Sequence, residues 1–229
     1  MPPNYITLMQ ITFSIVYLGY ISLIVALMSK KLKKINEENL KTAKNIRLAF
    51  ISLLIGDLGH VGARIVTYFA EDLAFKYGIF GVGILLEMIG LVFLFMFYTN
   101  AWRIHFNKAN SLLFKTLIGF GVIGLIIFTF PQNQWNTEPS SYDWLIIRNI
   151  PWIFQGIILS ILIMKDARST NDPLMTRIGI LIFISFFFYT PVILFASIEP
   201  SLGMLMIPGT IIYMVWQYTS YKQFFKGNE

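Results

Sequence analysis

The stretch from Ile79 to Ala101, IFGVGILLEMIGLVFLFMFYTNA, carries a single charged side chain, Glu87. A helix needs about 20 mainly apolar residues to cross a bilayer core, and a run this long with one charge predicts a transmembrane helix. Six further apolar runs lie near 5–29, 47–70, 113–131, 144–164, 177–196 and 202–220. Short polar stretches separate them, with Pro131, Pro139, Pro173 and Pro200 where turns are wanted. The expected fold is an all-α integral membrane protein, a seven-transmembrane-helix bundle that occupies 1–229 as one domain.

Composition agrees. Of 229 residues, 56% are hydrophobic and only 13% charged, half the roughly 25% charge of a soluble domain. A soluble enzyme is excluded on that ground. Seven spans consume ~140 residues and leave ~11 for each tail or loop, too few for a further domain. The absence of cysteine excludes disulfides, thiolate nucleophiles, Cys-ligated zinc and haem attachment. The first run has no basic residue before it and no small-residue cleavage site after it, so it is expected to remain as the first helix.

The net charge of +6 is a matter of location. Lys30, Lys31, Lys33, Lys34, Lys41, Lys44 and Arg47 follow the first span, and Arg103, Lys108 and Lys115 lie between the third and fourth. Lys165, Arg168 and Arg177 lie between the fifth and sixth, and Lys222 and Lys226 close the chain. The opposite side has Lys76 alone, while Arg64 and Arg148 fall inside spans. Because basic residues in short loops stay in the cytoplasm, the N-terminus is expected outside and the C-terminus inside, in the cell membrane. The basic run 30–47 then reads as topology and lipid headgroup contact, not as a nucleic-acid site. Trp102, Trp135 and Trp144 stand at span ends and read as interfacial belt residues. Phe183–Tyr189 reads as lipid-facing or packing surface.

Ionisable groups inside spans are costly and are candidates for function. Asp57, His60 and Arg64 fall in the second span, Glu87 in the third and Arg148 in the fifth. At ~100° per residue, His60 lies ~60° and Arg64 ~20° from Asp57 around the helix, so the three form one stripe. At ~1.5 Å per residue from the expected outer ends, depths run from ~7 Å for Arg148 through ~9, ~12 and ~15 Å for Arg64, Glu87 and His60 to ~20 Å for Asp57. Trp152 and Gln155 share the Arg148 face. Tyr189, Thr210, Tyr213, Gln10 and Tyr17 add polar atoms at similar depth.

These residues predict an outward-facing polar pocket. Asp57, His60, Arg64, Glu87, Arg148, Trp152, Gln155, Tyr189 and Tyr213 are its candidate ligand-binding residues. The ligand would be small, polar or amphipathic and anionic, held by guanidinium groups in a sensor, receptor-like or transport protein. Such a sensor would need a cytoplasmic partner. A second reading is an intramembrane lipid hydrolase with Asp57, His60 and Glu87 as candidate catalytic groups. A third is a purely structural network in which the arginines pair with the carboxylates. Pro151, Pro191 and Pro208 would kink spans and open the interior, and Gly56, Gly59 and Gly62 would allow close helix approach.

No cofactor is expected. Zinc is disfavoured because His105, the other histidine, sits at the far end of its helix, where it reads as a solvated interface residue. Seven spans with the N-terminus outside resemble microbial rhodopsins, but the last span, Leu202–Ser220, has no lysine for a retinal Schiff base. Pro131-Gln132 is similar to the PQ-loop transporters without a counterpart in the other half. Gly56-Asp57 resembles the lysoplasmalogenase-like hydrolases without their second aspartate motif. The chain more closely resembles an uncharacterised group of small bacterial seven-helix membrane proteins with no established activity. Gly56-Asp57-x-x-His60-x-x-x-Arg64, Pro131-Gln132-Asn133-x-Trp135, Arg148-Asn149-Ile150-Pro151, Tyr189-x-Pro191-Val192 and Gly203-Met-Leu-Met-Ile-Pro208 carry this resemblance. Ala63 stands where that group has proline before the arginine. The resemblance implies the seven-helix fold and no mechanism.

Overall fold

The computed structural model describes residues 5–137 and 141–226; Pro139, expected as a turn breaker, lies outside them. All seven expected spans are helices: α1 Tyr5–Lys31, α2 Glu37–Phe69, α3 Leu73–His105, α4 Leu112–Phe128, α5 Tyr142–Ser169, α6 Pro173–Phe195 and α7 Met206–Tyr221. Among the described residues there is no strand. Five helices are long and apolar enough to cross a membrane: α1, α2, α3, α5 and α6. α4 is apolar but has 17 residues, about 25 Å of helix.

Side-chain caps set several boundaries. Asn36 starts α2 by accepting from the Asn39 N–H at 3.4 Å, ten residues before the expected span. Asp72 and Asp172 start α3 and α6 by accepting from Phe75 N–H at 2.6 Å and Met175 N–H at 2.9 Å. Such oxygens satisfy amides that have no partner inside the helix. α4 stops at Phe128, short of the expected 131, because Pro131–Asn133 winds into a tight 3-10 turn. There Asn133 donates to the carbonyls of Ile127 and Phe130 at 2.7 and 2.9 Å. α7 starts four residues later than expected, because Pro200–Leu205 is 3-10 helix. Pro208 therefore falls in the first turn of α7, where its missing N–H has no intrahelical partner to lose. Pro151 and Pro191 lie inside α5 and α6, which continue past them.

The helices run alternately up and down and form a closed ring in which each packs on its neighbours in sequence and α7 returns to α1. Tyr20 O–H donates to the Met214 carbonyl at 3.0 Å across that closure. α3 also reaches inward to α5. The most extensive contact joins α2 and α3, and glycine permits it. A Cβ on Gly90 would stand 2.6 Å from the Ser52 carbonyl oxygen, and one on Gly56 3.0 Å from that of Leu86. Gly62, expected to allow close helix approach, faces open space instead.

A stack of rings fills the centre. Phe95 lies against Trp152, Phe186 and Trp216 with centroids 6.2, 5.5 and 6.1 Å apart, and Phe50 and Tyr98 meet Trp216 edge-on. Phe183 and Phe187, four apart on α6, point outward while Phe186 is buried. The expected outer face of this stretch is thus one side of a two-sided helix.

The lysine-rich end of the bundle is tied by a polar network. Trp102 is buried, its Nε1 donating to Asp166 Oδ2 at 2.9 Å, so it is a packing residue and not the expected belt residue. Lys108 pairs with Asp166 at 2.8 Å. His105, expected to be solvated, contacts Asp172 at 3.1 Å and packs edge-on against Phe224. Gln223 donates to the same Asp172 oxygen at 3.0 Å, fastening the C-terminal turn to the start of α6.

Candidate functional site

A cavity of about 290 Å³ opens among α1, α2, α3, α5, α6 and α7, in the half of the bundle away from the lysine-rich end. Pockets for small ligands begin at about this size. On α2, Leu53, Asp57, His60 and Arg64 line it at intervals of three and four, the spacing that keeps residues on one helix face. α3 presents Phe80, Ile84, Glu87, Met88 and Leu91 by the same rule. α5 adds Leu145, Arg148, Asn149 and Trp152, and α6 adds Tyr189, Val192 and Ile193. Tyr17 and Tyr213 complete the wall from α1 and α7. Ala196, Ser197 and Met206 border it at the end opposite the lysines.

Eight of the nine expected site residues therefore meet at one cavity. The exception is Gln155, which is fully buried outside the lining; neither of its amide atoms has a partner among the described residues. One further turn along α5 carries it past Trp152 into the packed centre. Thr210 holds Tyr189 from behind at 3.4 Å, and Gln10 is exposed away from the cavity. Asn149, Phe80, Ser197 and Met206 were not singled out by sequence. Asn149 stood beside Arg148, but adjacency alone does not place neighbours on one wall.

The polar contacts form two groups. Tyr17 O–H donates to Asp57 Oδ2 at 2.7 Å. Arg64 Nη2 lies 3.1 Å from His60 Nε2, and His60 Nδ1 lies 3.2 Å from Glu87 Oε2. That last contact is at ion-pair distance but off the angle of a good hydrogen bond. Arginine has only donors, so Nε2 must accept, and the assigned ring is neutral with its proton on Nδ1, toward Glu87. Arg64 pairs with no carboxylate among the described residues. Asp57 is 8% and Arg148 4% exposed, so both side chains are largely withdrawn from the surface.

Arg148 is held by the loop after α4. Its Cζ lies 4.7 Å from the Trp135 ring centre, a cation–π contact worth about 0.5–2 kcal/mol. Trp135 is fixed in turn by its Nε1 donating to the Phe128 carbonyl at 3.2 Å. Its own carbonyl rests on Gly81, where any Cβ would overlap it. The Pro131–Trp135 string is thus a strap from the end of α4 to the site wall. On the other side of Arg148, Asn149 accepts from Trp152 Nε1 at 2.9 Å and donates to the Leu145 carbonyl at 2.6 Å.

Compared with protein-family models, curated proteins and solved structures, the chain matches none.

Proposed function

We propose that this chain is a multi-pass protein of the cell membrane, with its N-terminus outside and its lysine-rich end in the cytoplasm. All seven helices span, and the cavity faces the outer side. It binds a small polar or amphipathic ligand whose anionic group meets Arg64 and Arg148, in a sensor, receptor-like or transport role. A sensor of this layout passes its signal to a cytoplasmic partner.

The observation that carries this reading is that four ionisable side chains from three helices, Asp57, Arg64, Glu87 and Arg148, line one cavity of about 290 Å³. A purely structural network would be expected to fill the space between its members, since protein interiors are close-packed with few voids. Guanidinium beside an apolar wall suits the headgroup of an amphipathic anion. Thermal stabilisation by hexanoate, lost in Arg148→Ala, supports the reading. Its absence in folded wild-type protein would sink it. Because the chain has no cysteine, Glu71→Cys and Asn110→Cys can be labelled singly in sealed vesicles. The orientation requires an impermeant maleimide to reach the first from outside and the second only after lysis.

A lipid hydrolase is the second reading, favoured by the Glu87–His60 contact, which would orient an imidazole base. Against it, Arg64 occupies the Nε2 that a base would use, and Asp57 bonds Tyr17 rather than the ring. Release of product from labelled lipid, abolished by His60→Ala, would restore it.

A further inference from the structure

Asp57 has one hydrogen-bond partner among the described residues. Oδ2 accepts the Tyr17 hydroxyl, while Oδ1 receives no hydrogen bond and remains open to the cavity. Glu87, on the facing helix, is met by the Nδ1 side of a neutral imidazole, which supplies a dipole but no positive charge. Among the described residues, two carboxyl groups therefore share a cavity with no lysine or arginine paired to either.

The wall around Asp57 is aromatic. Tyr17, which bonds Asp57, lines the cavity together with Trp152, Tyr189 and Tyr213, and the last two meet edge to face at a centroid distance of 5.4 Å. A carboxylate among aromatic rings suits an ammonium group, through charge pairing and attraction to the rings. A calcium or magnesium ion would need six or more oxygen ligands at short distance, which aromatic rings do not supply. The positive charges stand nearer the mouth: Arg64 follows Asp57 by seven residues, roughly 10 Å along the helix axis. Polarity along the α2 wall thus runs from negative inside to positive outside.

We propose that the cavity takes an amphipathic amine, its ammonium group against Asp57 among Tyr17, Tyr189 and Tyr213, and any anionic group it carries toward Arg64 and Arg148. This rests on the reading that the cavity is a ligand site, and it makes that ligand zwitterionic where both ends are charged.

The test uses the full chain in lipid nanodiscs, titrated with hexylammonium, hexanoate and hexanol, with binding followed by calorimetry and by tryptophan emission. The expected result is saturable hexylammonium binding at least tenfold tighter than hexanol. Asp57→Asn, which keeps an acceptor for Tyr17, should weaken the amine at least tenfold and leave hexanoate no weaker. If that variant does not fold, the wild-type preference of amine over alcohol and a several-fold loss in Glu87→Gln decide the matter. Hexylammonium binding that ignores Asp57→Asn overturns the amine assignment. So does binding of hexanoate or hexanol without the amine, while leaving the cavity as a ligand site. Binding of none of the three to folded protein overturns both.

Discussion

Arg64 and His60, one turn apart on α2, meet at 3.1 Å through Nη2 and Nε2. Because the guanidinium can only donate, this contact selects the ring tautomer whose Nδ1 carries the proton and faces Glu87. Nitrogen NMR of ring-labelled histidine should show His60 as neutral Nδ1–H at pH 8. Arg64→Met should release Nε2 and shift the ring toward the other tautomer or a mixture. A ring that stays Nδ1–H in the variant would show that Glu87 alone sets it.

The α2–α3 contact should be intolerant of a methyl group. Gly90→Ala puts a Cβ 2.6 Å from the Ser52 carbonyl oxygen, and such overpacking costs about 1–3 kcal/mol. Gly62→Ala meets nothing within 4 Å and should be neutral or gain up to about 1 kcal/mol of helix propensity. Thermal unfolding in one detergent compares the two, and equal melting temperatures would refute the backbone-to-backbone contact.

The strap over the site predicts an effect at a distance. Gly81→Ala should push the Trp135 carbonyl away and loosen the ring on which Arg148 stacks. Hexanoate affinity should fall by about two- to tenfold, the size of a partly exposed cation–π contact. Trp135→Leu should match it, and Trp135→Tyr should lose less. Calorimetry on the three variants checks the order.

Acid should weaken the lysine-rich end. Burial alone would raise the Asp172 carboxyl, but the His105 hydrogen bond and the Met175 and Leu174 backbone amides outweigh it and hold it below the usual aspartate range. A carboxylate depressed on folding contributes stability above its unfolded pKa of about 3.9, and that contribution is lost as pH falls through the lower folded value. Melting temperature should therefore decline below about pH 4, and Asp172→Asn should be less stable at neutral pH and flatter on the acid side. An unchanged acid limb in the variant would move the cause to another carboxylate.

How much of this was legible in the chain depends on the range of the signal. Seven helices follow from long apolar runs, and the Asp57–His60–Arg64 stripe follows from helical period; both need only local spacing. Cap-dependent ends are less legible, since α2 begins at Glu37, after its Asn36 cap, in a stretch with no apolar periodicity. The partner choices were not legible. Depth arithmetic brings Arg148 and Glu87 to similar levels, yet Arg148 stacks on Trp135, because the Pro131–Asn133 turn returns the chain across the bundle. Trp102 and His105 were read as interfacial from their position at a helix end. They are recruited instead by Asp166 and Asp172, more than fifty residues later.

The ring stack of Phe95, Trp152, Phe186 and Trp216 has a bearing on which role the cavity can serve. Trp152 closes the cavity below, and Phe95 and Trp216 behind it are fully buried. The site is a cup with a floor of interlocked plates. A ligand that enters leaves by the way it came unless α3, α5 and α7 shift together, since no single side-chain rotation clears several mutually packed rings. Cargo passage through this protein would therefore be a helix-scale event, slow and visible as a change in inter-helix distance, whereas a receptacle that only reports occupancy needs no such motion.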